Sequence, residues 1–500
     1  MAVAEHARGS GLLLGWMILV PMTLAVVLWQ AQPARAGTIT VTNALDDNSA
    51  GTLRQSVEAA GTGDTILFAP GFFSVARTIT LQGQIIITKS LVIDGSTAAI
   101  SPTISGGNVT RTLTIKAGAV VMLDHLRIID GAAPVGNGGG IYNAGNLDVR
   151  NSAFVSNSAI SALNSDYGGA IYNSGIVTVS HSLFISNTAD LGGGLRNDGI
   201  ATVIDCRFSG NVATSDGGGI SSGGIFALNA STVLVNTAWA APDVVSIPVV
   251  VTLNVSHSIF VNNHAAYGAA IWSGSPASIM ESYLSHNAAI VSAGGIFNNF
   301  APITLASSTL YSNSAAYGGA ILNASGVVTI ANATIVTNSA SIEGGAVFNE
   351  GVMTVTNATL AGNNSALGST FSSTGTASIV VLVLRNTIVA YGAGQDGCYA
   401  NVVDGGYNLE TGTVCGLTTP HSLQHANPGL GLLQVNSPGL DLPTMALAAN
   451  SPAINAGSNA FCPPTDERGI PRSLGGVCDM GAFEYWLAAH SAYMPILLRY

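Results

Sequence analysis

Gly168-Gly-Ala-Ile-Tyr-Asn-Ser-Gly-Ile-Val-Thr-Val-Ser-His-Ser-Leu-Phe-Ile-Ser-Asn187 contains most of one structural repeat. A glycine pair, Gly168 and Gly169, opens it and Phe184-x-x-Asn187 closes it. Between them Val177-Thr-Val179 alternates apolar and polar residues, the pattern of a short strand with one face inward. The pair recurs at Gly138 and Gly139, Gly192 and Gly193, Gly217 and Gly218, Gly294 and Gly295, Gly318 and Gly319, and Gly344 and Gly345, with a variant at Gly268-Ala-Ala-Ile-Trp-Ser273. The closing asparagine recurs at Asn157, Asn187, Asn211, Asn236, Asn263, Asn287, Asn313, Asn338 and Asn363, in steps of 30, 24, 25, 27, 24, 26, 25 and 25 residues. Such a unit cannot bury its own inner face. Stacking each unit on the next at the strand spacing of about 4.8 Å closes a continuous core. The expected fold is all-β: a parallel β-helix, a solenoid with about 25 residues per coil.

The glycine pairs are expected to turn corners, because glycine accepts positive φ and close backbone approach. The asparagines are expected to lie above one another at another corner, each amide bonded to the next coil, as a structural ladder rather than a sugar-binding row. Two residues before each apolar anchor runs a row of small residues: Ser152, Ser182, Cys206, Ser231, Ser258, Ser282, Ser308, Ala333 and Ala358. Cys206 therefore reads as a buried small hydrophobe, not a nucleophile.

Composition agrees with a repeat array. There are 60 glycines, 8% charged residues and 48% hydrophobic residues, too apolar and too weakly charged for disorder. The net charge of −11, with Lys89 and Lys116 as the lysines, offers no phosphate-neutralising patch, so neither nucleic acid nor an anionic membrane is expected as partner.

Towards the N-terminus, His6 and Arg8 precede an uncharged stretch from Gly11 to Trp29, and Ala34-Arg-Ala36 supplies a small-x-small cleavage pattern. Residues 1–36 read as a signal peptide with a mature start at Gly37; a retained anchor helix is the other reading. No later stretch reads as a membrane span. Residues 37–131 are assigned to a cap and irregular first coils, with Leu53-Arg-Gln-Ser-Val-Glu-Ala-Ala60 as the helix covering the open edge, and 132–395 to the regular repeats. Between Asn236 and Asn263 the glycine motif is missing, and Ala238 to Val251 is expected as an outward bulge. Export permits disulfides; Cys398, Cys415, Cys462 and Cys478 are candidates, with nearest-neighbour pairing one connectivity among those the sequence leaves open.

The alternation of Gly-Gly-x-apolar with Phe-x-x-Asn over Gly138 to Asn363 resembles the repeats of the chlamydial polymorphic outer membrane protein family. Ser451-Pro-Ala-Ile-Asn-Ala-Gly457, Asp466-Glu-Arg-Gly-Ile-Pro-Arg472 and Asp479-Met-Gly-Ala-Phe-Glu484 are similar to the choice-of-anchor Q domain, placed at 396–485 with a tail at 486–500. The resemblance implies a secreted, surface-attached or outer-membrane-associated right-handed parallel β-helix of pectate-lyase-like architecture, whose relatives are described as adhesins. It implies a glycan or a host or neighbouring cell surface as partner, and transfers no catalytic residue.

Parallel β-helices also carry polysaccharide lyases and hydrolases, which need facing carboxylates, or a base beside a neutralised uronate. Asp166, Asp190 and Asp216 precede glycine motifs on consecutive coils, and Glu343 holds a similar place. They are weak calcium candidates, set against the reading that acidic turn residues solvate a corner; no other cofactor is expected. Arg196 and Arg207 are the nearest cations and poor general bases. His257, His264 and His286 read as surface turn residues. The main expectation is a non-catalytic adhesion or envelope protein, and the alternative a carbohydrate-active enzyme, which needs a face lined by carboxylates and aromatics.

Overall fold

The computed structural model describes residues 36–485 apart from 134–135, 161–165, 239–244, 248–251, 374–379, 437–441 and 473–475, and of 245–247 the backbone alone. The leader, the tail and most of the expected bulge thus lie outside the described residues.

One coil shows the plan. Four short strands follow one another: Ile171–Asn173, Ile176–Ser180, Leu183–Ile185 and Thr188–Ala189. The next coil lies beside them in parallel, with Ile171 opposite Leu195, Val177 opposite Ala201, Phe184 opposite Phe208 and Ala189 opposite Ala213. Stacking makes a 13-stranded sheet from the first strands, an 8-stranded sheet from the fourth, and a 27-stranded sheet holding the second and third. The chain is an all-β parallel β-solenoid.

Alternation fixes what faces inward: Val177 and Val179 are buried and Thr178 is not. The closing motif places Phe154, Phe184 and Phe208 in one interior column, with successive rings stacked at 4.9 and 4.4 Å. Each fully buried phenylalanine contributes about 1.5–3 kcal/mol of transfer free energy, and the in-register stack lets one coil's ring seal the next.

The expectation that both glycines of a pair turn the corner needs correction, because the two serve different ends. The first takes the left-handed turn that enters the 13-stranded sheet: Gly168 stands at φ 72°, and Gly138, Gly192, Gly217, Gly318 and Gly344 do the same at 62–75°. The second, at Gly139, Gly169, Gly193, Gly218, Gly319 and Gly345, is not among the positive-φ residues. Its constraint is space. A Cβ on Gly169 would run into the carbonyl oxygens of Gly193 and Thr188, and one on Gly193 would sit 2.5 Å from those of Gly218 and Val212. The pair at Gly294 and Gly295 is out of register with this scheme: the positive φ, 57°, falls on Ala293, and Gly294 stands one place later. Ile296 opposite Ile271 and Ile321 fixes that alignment.

Strand pairing runs beyond the regular repeats and through the degraded coil. The first coils are in register with the rest, Leu91 pairing with Val121 and Val121 with Leu147. The degraded coil still contributes Val245–Ile247 to the 13-stranded sheet, opposite Ile220 and Trp272's strand, so backbone pairing survives the loss of the glycine motif. The solenoid also continues past 395, through Cys398–Tyr399, Val402–Asp404 and Leu409–Glu410.

At the start, Leu53–Ala59 is a helix with Thr52 as N-cap, its side chain accepting from the Gln55 amide; Leu53 and Val57 are buried in the solenoid core. At the other end a second apolar cluster of Ile388, Leu409, Leu447, Ala453, Met480 and Phe483 joins the last coils to the C-terminal segment. Disulfides join Cys398 to Cys415 and Cys462 to Cys478. Cys206 is free and buried.

Candidate functional site

The three sequence-selected aspartates are not equivalent. Asp166 and Asp190 are stacked and buried: the Asp190 amide donates to the Asp166 carbonyl, and Asp190 Oδ2 accepts from the Asp166 amide at 3.1 Å. Gly136 N donates to Asp166 Oδ1 at 2.9 Å and Thr214 Oγ1 to Asp190 Oδ1 at 2.6 Å. They are buried turn braces, not the exposed corner acids expected from composition. Asp216 is one residue out of step, since Ser215 bonds to the Asp190 carbonyl while the Asp216 carbonyl accepts from Gly192. It thereby occupies the row of Tyr167 and Leu191 at the mouth of the corner. Glu343 falls in the same row, opposite Tyr317, and accepts from Ser372 Oγ at 2.9 Å.

Among the described residues, the set whose possible metal-ligand atoms lie within 4.8 Å of one another is Asp94, Asp124 and His125, and not the aspartate trio. These three are partly exposed, and such surface groups commonly stand together without an ion. His257, His264 and His286 are exposed, His257 paired with Glu281, and Arg207 is exposed on its strand.

The outer face of the 13-stranded sheet gathers what the aspartates do not. Register places Thr114, Tyr142, Tyr172, Arg196 and Ser221 in one outward-directed column, a residue per coil, in which Tyr142, Tyr172 and Arg196 are half-buried and Thr114 and Ser221 are covered. Tyr142 and Tyr172 have ring centroids 5.2 Å apart, and Tyr167 from the corner row lies 6.4 Å from Tyr172. Arg196 binds Asp198 through Nε at 2.7 Å, donates from Nη1 to Ser221 Oγ at 2.7 Å, and lies over the Tyr167 ring at 5.5 Å. Tyr172 donates to Asp198 Oδ2 at 2.9 Å; burial first, then this carboxylate, hold its phenol above the usual range. Burial likewise raises Asp216, against the opposing pull of Arg196. Arg111 is spent on the carbonyls of Gly138 and Asn137 and on Gln84. The same column continues through Trp272, Phe297, Leu322 and Phe348.

This face was readable from the fifth position of the Gly-Gly-x-apolar-x-Asn motif, where Tyr142, Tyr172, Arg196, Trp272 and Phe348 stand, and Phe297 with them once its motif is counted from Ala293. The sixth position held a second ladder: Asn143 donates to Asn173 and Asn173 to Asn197, both at 2.7 Å. The first ladder runs from Asn157 to Asn363, each Nδ2 donating to the next Oδ1 at 2.9–3.2 Å, for example Asn187 to Asn211 at 2.9 Å and Asn236 to Asn263 at 3.2 Å. All its members are buried, which keeps their side chains from a ligand.

The family model described as the Chlamydia polymorphic membrane protein (Chlamydia_PMP) repeat matches residues 205–223, one coil's worth of the chain. No curated protein matches in sequence. Among solved structures, pectate lyase Pel9A is similar at 16% identity over 90% of this chain and 96% of its own, with a TM-score of 0.33. A mannuronic acid-specific polysaccharide family 6 lyase from human gut microbiota gives 11% identity over 73% and 91%, TM-score 0.43. A PL6 alginate lyase in complex with a trisaccharide gives 12% over 84% and 92%, TM-score 0.40. At such identities and scores no activity follows from the likeness.

Proposed function

We propose that this chain is a non-catalytic cell-surface solenoid that binds neutral glycan along the outer face of its 13-stranded sheet. The observation that carries the reading is the outward pair Tyr142 and Tyr172, one coil apart with Tyr167 beside them. Aromatic rings stack on the apolar C–H faces of sugars, and each tyrosine joins that apolar body to a polar handle. Successive coils repeat at about 4.8 Å, close to the rise of one extended sugar residue, so a chain can lie along the column. The neighbouring arginines are engaged with Asp198, Ser221 and main-chain carbonyls, which favours neutral over acidic sugar. A Chlamydia polymorphic membrane protein repeat supports surface display, and among the described residues no helix is long and apolar enough to cross a membrane.

Residues 37–500 incubated with neutral and acidic polysaccharides, with and without calcium, test this by following bound glycan and chain cleavage together. Retention of neutral glycan without cleavage is expected, falling at least about tenfold in Tyr142→Ala with Tyr172→Ala, the loss of two stacking contacts worth about 1 kcal/mol each. Retention unaffected by those changes refutes the assigned face. The enzymatic reading rests on Asp216, half-buried with one unpartnered oxygen and an elevated carboxyl beside Arg196. Cleavage lost in Asp216→Asn would establish that reading instead.

A further inference from the structure

The described residues between Ser451 and Glu484 fold back along the solenoid as a clasp on the outward side chains of the last coils. Ala482 N donates to Thr359 Oγ1 at 3.0 Å, Asn357 Nδ2 to the Asp479 carbonyl at 3.0 Å, and Arg472 Nη2 to Asn332 Oδ1 at 2.8 Å. Asn332, a left-handed kink within the long strand Val327–Val336, and Asn357, a left-handed kink between Val352–Thr356 and Thr359–Ala361, present the side chains that the clasp grips. Glu467 reaches deepest and is 0% exposed. Its partners are Thr309 and Thr334, opposite each other on adjacent coils.

The geometry around Thr309 sets where a proton must be. Thr309 Oγ1 lies 2.8 Å from the Pro443 carbonyl oxygen and 2.9 Å from Glu467 Oε1. A hydroxyl carries one hydrogen, and a carbonyl only accepts. With that hydrogen on Pro443, the second contact is a full hydrogen bond only when the Glu467 carboxyl donates to Thr309. Thr334 Oγ1 donates to the other oxygen, Oε2. Among the described residues no cation is paired with Glu467: Arg468 is held by Asp466 at 2.6 Å and Arg472 by Glu484 at 3.3 Å. The neighbouring Asp466 carboxylate raises Glu467 further, and Tyr283 stands opposite Thr309 on the preceding coil. Strands Pro302–Tyr311, Val327–Val336 and Pro443–Leu447 bring no charged residue.

We propose that Glu467 is held as a neutral carboxylic acid donating to Thr309, and that this proton makes the clasp a latch whose grip weakens as pH rises. Burial, outweighing the two threonine hydrogen bonds, pushes the Glu467 carboxyl up to about 8 from an ordinary 4.5. A folded value above the unfolded one means the stabilisation is complete below pH 4.5 and is lost as pH climbs to about 8. Within that window the population of open clasp rises by up to about tenfold per pH unit from this one group. Glu484, raised to about 7 mainly by burial, and Asp479, raised for the same cause, add to the trend in the same direction.

The test is hydrogen exchange of the full chain across residues 451–485 from about pH 5 to pH 8, corrected for intrinsic exchange chemistry, in the wild type and in Glu467→Gln. Glutamine reproduces both hydrogen bonds without an ionisable proton. The expected result is a pH slope of clasp opening lower by one proton in the variant, and an infrared carbonyl band of a protonated carboxyl near pH 7 that disappears with it. An unchanged slope, or no Glu467-dependent band, overturns the proposal. Should Glu467→Gln fail to fold, Glu484→Gln leaves Glu467 as the assigned source of that band at pH 6, and its absence there overturns the proposal equally.

Discussion

Cys206 carries a thiol in a column where its neighbours carry a serine hydroxyl. Ser152 N donates to Ser182 Oγ, Cys206 N to Ser231 Oγ and Ser231 N to Ser258 Oγ, at 3.1 to 3.3 Å. The thiol points to the carbonyl of Ile204 at 3.2 Å, and burial pushes it up to about 12, so it is inert as thiolate. A serine there can donate to the Ile204 carbonyl as Ser182 does to Ser180, so Cys206→Ser is expected to change unfolding free energy by no more than about 1 kcal/mol, and a thiol reagent should label the native chain only on unfolding. Labelling at native rates comparable to a free thiol would contradict this burial. Gly193→Ala is the opposite case: the new methyl meets two carbonyl oxygens at 2.5 Å, and denaturant melts should show a loss of about 1–3 kcal/mol.

At the scale of the element, the asparagine ladder makes each coil depend on its two neighbours. Asn211 Oδ1 accepts from the amide and the side chain of Asn187, while its Nδ2 donates to Asn236 Oδ1 and to the Phe184 carbonyl, all at 2.9–3.0 Å. Asn211→Ala leaves these groups buried and unpaired, at about 1–3 kcal/mol for each group that finds no water. A total loss of about 3 kcal/mol or more is expected, with faster amide exchange at Asn187. A cost under 1 kcal/mol would mean that water enters the corner. The ladder and the coil length were legible because the spacing repeats, and Val177-Thr-Val179 announces its inward face by alternation. The aromatic column was equally present in the fifth motif position, but a variable position reads as noise until register stacks it. The offset of Asp216 was legible too: Asp166 and Asp190 stand two residues before their glycines and Asp216 and Glu343 one, but a count from the preceding asparagine, through corners of unequal length, hides it. The glycine pairs hid a similar distinction: Gly168 is needed for its φ and Gly169 for its missing Cβ, yet both are written with the same letter. Ala293 shows the converse, holding a positive φ just ahead of a glycine pair that holds none.

At the scale of the molecule, a solenoid couples each coil to its neighbours and to little else, so a change at one end should stay there. The two disulfides lie at the C-terminal end, closing separations of 17 and 16 residues. Loops of that length stabilise by about 3 kcal/mol each through the unfolded chain. Cys398 sits in the last strand of the 13-stranded sheet and Cys478 beside the cluster of Ile388, Leu409, Met480 and Phe483, so both act on the terminal coils and their clasp. Reduction should therefore raise amide exchange and protease sensitivity from about Ile388 to Phe483, while the coils from Ile141 to Ala213 keep their wild-type protection. Uniform loss along the whole chain would instead mean that the array unfolds as one cooperative unit, with the core column of Phe154, Phe184 and Phe208 transmitting the failure from coil to coil. Local loss would mean that the terminal staples guard the coils after Asn363, which the asparagine ladder does not reach.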